Sequence, residues 1–196
     1  AQMLNDIEER LKTHGVNVKV DHEQGLLRLH KRAIKFDTEC AEYLKDSKKN
    51  AKIVANVLAN IVPCYTNISK KESKARACND QSIGTLESIF VEGHTDNRPW
   101  TEGGKDKNWE LSMERAIKTY RLFVRVEPTL KTLVNRNEQP ILSVTGYGPS
   151  RPLPGHDYKK PTADEDNRRI DLRFIMESPD SQDPEVLEAV EKESKS

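Results

Sequence analysis

Asp96 and Arg115 are the residues whose types and placement point most directly to chemistry in this 196-residue chain. Asp96 lies in the string Glu92-Gly93-His94-Thr95-Asp96-Asn97, just after a short apolar run, and Arg115 lies in a periodic segment that begins at Asn108. A carboxylate acceptor and a bidentate guanidinium sharing one pocket rim suit a zwitterion, with an ammonium on Asp96 and a carboxylate on Arg115. Thr95, Asn108 and Ser112 are the hydrogen-bond partners expected beside them, and a helix N-terminus at Asn108 adds exposed N–H groups and partial positive charge. The same pair fits an internal salt bridge that only ties a loop to a helix, and spacing does not separate the two readings.

Glu92, His94 and Asp96 stand at alternate positions, which face one way at a strand end, so an acid/base set for a hydrolase has to be weighed. No nucleophile with an adjacent base accompanies them, so no catalytic residue is assigned and His94 is expected as a hydrogen-bonded turn residue. The sequence has no CxxC or HExxH spacing, so neither a metal nor another cofactor is expected. Lys plus Arg and Asp plus Glu number 32 each, which gives no long-range attraction for nucleic acid or an anionic membrane. No run of about 18 apolar residues is present, and the first residues lack the features of a signal peptide. Recognition must therefore come from a local site.

The elements that would position such a site follow from periodicity. Met3, Leu4, Ile7 and Leu11 predict a first helix, and alternating Val16, Val18 and Val20, then Leu27 and Leu29 beyond Gln24-Gly25, predict paired strands. Ile34 and Phe36 continue extended chain, with Asp37-Thr38 as a possible cap for an amphipathic helix from Cys40 to Ile61 that Pro63 stops. A polar loop bracketed by Cys64 and Cys78 follows; the two readings are a disulfide in an oxidising compartment or two small buried hydrophobes. Leu86–Val91 is a strand, Asn97–Lys107 a polar loop, Asn108–Val126 a second helix, Ile141–Val144 a third strand and Ile170–Met176 a last one. This order predicts an α+β fold, a mixed sheet with helices packed on one face. On a wheel of about 100° per residue, Trp109, Met113, Ala116, Ile117, Tyr120 and Val124 fall on the arc expected to face the core, and Asn108, Leu111, Ser112 and Arg115 on a separate polar arc.

Four strings, VEGHTDN, NWELSMERA, VTGYGPSRP and DNRRIDLRF, resemble in order the signature blocks of the OmpA C-terminal family, from about Ile89 to Phe174. GHTDN followed by NWELS and RA is similar to the MotB-type stator proteins, including the longer loop between the blocks. The resemblance implies a βαβαβ-type sandwich that binds peptidoglycan non-covalently through meso-diaminopimelate. It implies that Asp96 and Arg115 hold the diaminopimelate ends, with Thr95, Asn97, Asn108, Leu111, Ser112, Asn167, Arg168 and Arg169 at the matching block positions. Alternation puts Arg168 on the side of Ile170 and Leu172 and Arg169 on the other, leaving open which arginine faces the pocket.

The organisation expected is a linker helix and strand over 1–24, the binding domain over 25–177 with an inserted loop at 63–80, and a mobile acidic tail over 178–196. The expected setting is the periplasm, with an inner-membrane helix and a MotA-like partner met through a segment outside this chain, and a homodimer. The Cys64–Cys78 insertion and the tail depart from the family pattern and leave the host complex open. A flagellar motor, a defence motor such as the ZorB subunit of Zorya anti-phage systems, and a wall tether unrelated to a motor are the readings, beside an interaction module with an idle site.

Overall fold

The computed structural model describes residues 2–29, 34, 36, 41–43 and 46–177. The cap at Asp37-Thr38, the helix positions Cys40 and Leu44 and the tail at 178–196 lie outside the described residues.

Helix α1 (Gln2–Thr13) buries Met3, Leu4, Ile7 and Leu11, the stripe that the spacing predicts. Strands β1 (Lys19–Asp21) and β2 (Leu26–Arg28) form an antiparallel hairpin in which Val20 faces Leu27. The next helix begins later than periodicity suggests. α2 runs from Ser47 to Ile61, while Tyr43 forms an antiparallel bridge with Phe36 and their rings sit 4.7 Å apart. Asp46 breaks the chain with a positive φ of 69°, a conformation its short side chain tolerates. The polar gap at Ser47 is thus the helix start. At the other end Pro63 supplies no N–H to continue the ladder, and a 3₁₀ turn, Val62–Tyr65, replaces it.

Cys64 and Cys78 are joined by a disulfide. The segment between them contains a short helix, α3 (Lys70–Arg76), which the expectation of a loop missed. Its signal was local: Ser69 accepts the N–H of Glu72, the S-x-x-E spacing of a capping box. Only Ser73 of this helix is buried, so apolar periodicity could not reveal it.

β3 (Leu86–Gly93) runs through the core and leads to a small hairpin, β4 (Thr101–Glu102) and β5 (Lys105–Asp106), inside the polar loop. Then come α4 (Asn108–Val126), β6 (Leu142–Gly146) and β7 (Ile170–Met176). The sheet order is β1-β2-β7-β3-β6, with β3 parallel to β6 and antiparallel to β7. Helices α1, α2 and α4 cover the face that carries Leu27, Ile89, Val91, Ile170, Leu172 and Phe174, which gives the mixed sheet and α+β class expected. α1 packs into this same core, and β1 is an edge strand of the same sheet. Among the described residues no helix is long and apolar enough to cross a membrane.

The face that α4 buries differs from the wheel assignment. Leu111, Ser112, Arg115, Ala116, Thr119, Leu122 and Phe123 are buried; Trp109 is 53% exposed, and Met113, Ile117, Tyr120 and Val124 are half-buried. Apolarity misassigned the phase because the buried face is polar near its N-terminal end, where its hydroxyls have partners: Gly148 N–H donates to Ser112 Oγ, and Thr119 Oγ1 donates to Arg115 O.

The disulfide has a direct consequence. Alkylation of the unreduced, denatured chain should label one thiol by mass, and labelling of three would show that the bond does not form. Closing a loop of 14 residues contributes roughly 3 kcal/mol on the chain-entropy account, so reduction should lower the urea midpoint correspondingly.

Candidate functional site

The site is built where α4 crosses the ends of β3 and β6. Gly93 and Gly146 are register partners there. A Cβ on Gly93 would lie 2.0 Å from Ser112 O, and one on Gly146 would lie 2.6 Å from Met113 N and Ser112 Oγ. Only glycine permits this approach. It presses Ser112 and Arg115 into the protein and sets the start of α4 beside the Thr95-Asp96 turn, whose Thr95 N–H donates to Gly148 O.

Thr95, Asp96, Asn108, Leu111, Arg115 and Arg168 line one small pocket, together with Arg98 and Trp100. Sequence reasoning passed over these last two. Their signal was position alone, within four residues of Asp96, with Arg98 N–H donating to Asp96 Oδ1. The pocket has room for about 10 Å³, roughly one water. Asp96 is 5% exposed; its Oδ2 accepts from Asp164 N–H and, at 2.6 Å, from Arg168 Nη1. Arg115 is fully buried, with its guanidinium carbon 5.5 Å from the centre of the Phe36 ring, a cation–π contact. The Thr95 hydroxyl is buried and makes no hydrogen bond among the described residues.

The other sequence-selected residues support the rim and do not line it. Asn97 ties the following loop, donating to Tyr158 O and Lys160 O and accepting from Thr162 N–H. Asn167 donates to His156 O and Asp164 Oδ2 and accepts from Leu153 N–H. Ser112 donates to Trp109 O and accepts from Gly148 N–H. Asn108 lines the pocket and also donates to Arg98 O. The two arginines part as strand alternation predicts: Arg168 reaches Asp96, while Arg169 turns to the other face and donates to Asp171 at 3.0 Å and to Arg151 O.

On that other face lies a charged cluster that sequence reading did not assemble. Glu92 and Asp171 are cross-strand partners, each 1% exposed, and Arg173 donates to Glu92 Oε1 at 2.6 Å. Arg28 lies 3.8 Å from Asp171, and Arg151 lies 4.0 Å from Glu92 with its guanidinium 3.6 Å above the Tyr147 ring. Burial raises the Asp171 carboxyl above its ordinary range against the pull of Arg169 and Arg28. His94 sits here and not beside Asp96. It stacks on Tyr147 at 5.6 Å with Nε2 at 3.4 Å from Asp171; its backbone N–H donates to Arg169 O, while its ring makes no hydrogen bond among the described residues. Burial first, and then the surrounding arginines, push its pKa down to about 2. Glu92, His94 and Asp171 could bring ligand atoms together, but the encircling guanidiniums oppose a cation there.

No family model matches the chain. Over 175 residues it is 26% identical to Motility protein B of Bacillus subtilis, matching 89% of this chain and 54% of that protein, so it spans about half the length of that relative. The periplasmic domain of Helicobacter pylori MotB (residues 90–256) superposes with a TM-score of 0.54 at 17% identity, covering 93% of this chain and 91% of that one. The cell wall anchor of the T6SS from Pseudomonas aeruginosa gives 0.51 at 15% identity, covering 90% and 97%. These likenesses show a shared fold of MotB type.

Two measurements follow from this geometry. Gly93→Ala should cost roughly 3 kcal/mol or more in urea unfolding, because the new methyl meets backbone; an unchanged midpoint would refute the close approach. For His94, the unfolded ring has its ordinary pKa of about 6.5 and the folded ring about 2. The unfolded chain therefore binds the extra proton in between, and stability falls as pH drops below about 6.5, by up to ~1.4 kcal/mol per unit. Relative to His94→Asn, the parent chain should lose stability with this slope between pH 6 and 4. Asp171 is present in both proteins, so parallel curves would show that the native ring protonates freely.

Proposed function

We propose, from the premise that the chain has the MotB-type fold, that it binds peptidoglycan non-covalently and anchors a membrane complex to the cell wall. The observation that carries this reading is the convergence of Asp96, Arg115 and the unbonded Thr95 hydroxyl on one pocket. An ammonium placed against Asp96 and a carboxylate against Arg115 make the contacts of a zwitterionic amino-acid end. The free end of meso-diaminopimelate in a stem peptide has that chemistry. Arg168 now holds the position on Asp96 that the ligand's ammonium would take. With room for about one water, binding entails withdrawal of that guanidinium, an exchange of one cation for another on the same carboxylate. Asn97, Ser112 and Asn167 contribute by holding the rim.

Names of relatives support the setting. Motility protein B and the MotB periplasmic domain support a periplasmic, stator-like role with a MotA-like membrane partner. The secretion-system cell wall anchor supports a second reading, a tether in a complex other than a flagellar motor. Homodimerisation and an inner-membrane helix preceding this chain belong to the same proposal, with a defence motor of the ZorB kind as an alternative host.

Co-sedimentation with diaminopimelate-type peptidoglycan tests the reading. The purified chain should pellet with the wall, and Asp96→Asn and Arg115→Lys should each weaken binding about tenfold or more, the value of a charged hydrogen bond. Circular dichroism and urea midpoints would confirm that both variants fold. Undiminished pelleting of both would overturn the site, and release of soluble muropeptides would replace anchoring by hydrolysis.

A further inference from the structure

A second pocket, of about 190 Å³, shares Arg168 with the Asp96 pocket and is also lined by Arg169. Four cationic side chains border it: Lys19 and Arg28 from the β1–β2 hairpin, and Arg168 and Arg169 from the turn. Glu165 and Asp166 lie on its rim. Two buried carboxylates take part of the guanidinium donors, Asp96 from Arg168 and Asp171 from Arg169 and Arg28. They do not take all. Arg168 Nε and Arg169 Nη1 are buried and make no hydrogen bond among the described residues, and Arg169 is only 8% exposed; Arg28 Nε, also buried, is ion-paired with Asp171 at 3.8 Å. A buried, charged N–H without an acceptor costs more than a neutral one, so the two on the turn, beside the Lys19 ammonium, call for an acceptor that carries negative charge. Two of its arginines, Arg169 and Arg28, also help lower the pKa of His94, after burial as the main cause.

We infer that this pocket is an anion site for a tetrahedral oxyanion of the phosphate class, held by Lys19, Arg28, Arg168 and Arg169. The donors come from two separate elements and three guanidiniums, so they approach from several directions. A planar carboxylate is satisfied by one guanidinium fork, whereas the oxygens of a phosphate can engage donors from several sides. The site goes beyond the wall-peptide reading and uses a different ligand chemistry. Arg168 borders both pockets, so an anion here draws on the arginine that covers Asp96.

Titration of the ¹⁵N-labelled chain with inorganic phosphate, at fixed ionic strength and neutral pH, tests the inference. The Nε–H signals of Arg28, Arg168 and Arg169 should shift and saturate in the millimolar range. Lys19→Ala and Arg28→Gln should each raise the apparent Kd about tenfold, and acetate should bind at least about tenfold more weakly than phosphate. Glycerol 3-phosphate and a glycerophosphodiester, run in parallel, separate the sources: preference for the monoester assigns free phosphate compounds, and equal binding of the diester assigns a phosphodiester polymer or headgroup. Asp96→Asn should retain the phosphate response while losing the wall, so the two proposals fail separately. Shifts that do not saturate, that survive both variants, or that acetate reproduces at the same concentration would overturn the site.

Discussion

The site depends on how closely α4 comes to the ends of β3 and β6. Gly93 and Gly146 lie side by side in register and give the helix backbone a surface without side chains to rest on. Any Cβ there would overlap Ser112 or Met113. The contact decides which face of α4 turns inward and so buries Ser112 and Arg115, residues that surface exposure would favour elsewhere. Once buried, a guanidinium needs partners of its own. The Phe36 ring contributes one contact, which links the Phe36–Tyr43 bridge to the pocket.

The opposite face of the sheet answers a second constraint. Glu92 and Asp171 stand directly across from one another, an arrangement of like charges that weakens a strand pair unless cations lie between them. Arg173, Arg169 and Arg28 supply those cations from neighbouring positions of the sheet and its edge. His94 stays neutral in their midst. This cluster couples the β1–β2 hairpin to the turn before β7, and that turn carries Arg168 into the first pocket. The two faces therefore share one short segment, Asn167 to Asp171, in which alternation divides the arginines between them.

Much of this was legible in the sequence. The ends of α4 and β7 matched their periodic segments, since long amphipathic runs carry a strong signal and Pro128 lies just past the helix. Alternation along Arg168-Arg169-Ile170-Asp171-Leu172 put the two arginines on different sides but left open which one meets Asp96; it is Arg168. Less was legible where local and tertiary preferences compete. Cys40 to Ile61 reads as one periodic helix, yet Tyr43 pairs with Phe36 and the helix waits for Ser47. α3 carried a capping box but no apolar stripe.

Sequence alone determined the α+β order, the mixed sheet and the presence of an acid and a base near one strand–helix junction, because these follow from short-range patterns of apolarity and from residue type. Only the tertiary structure decided the phase of α4, the pairing of Asp96 with Arg168 and the separation of His94 from Asp96. Each depends on backbone approach at Gly93 and Gly146 or on cross-strand register. Such contacts join residues far apart in the chain, and no local spacing encodes them.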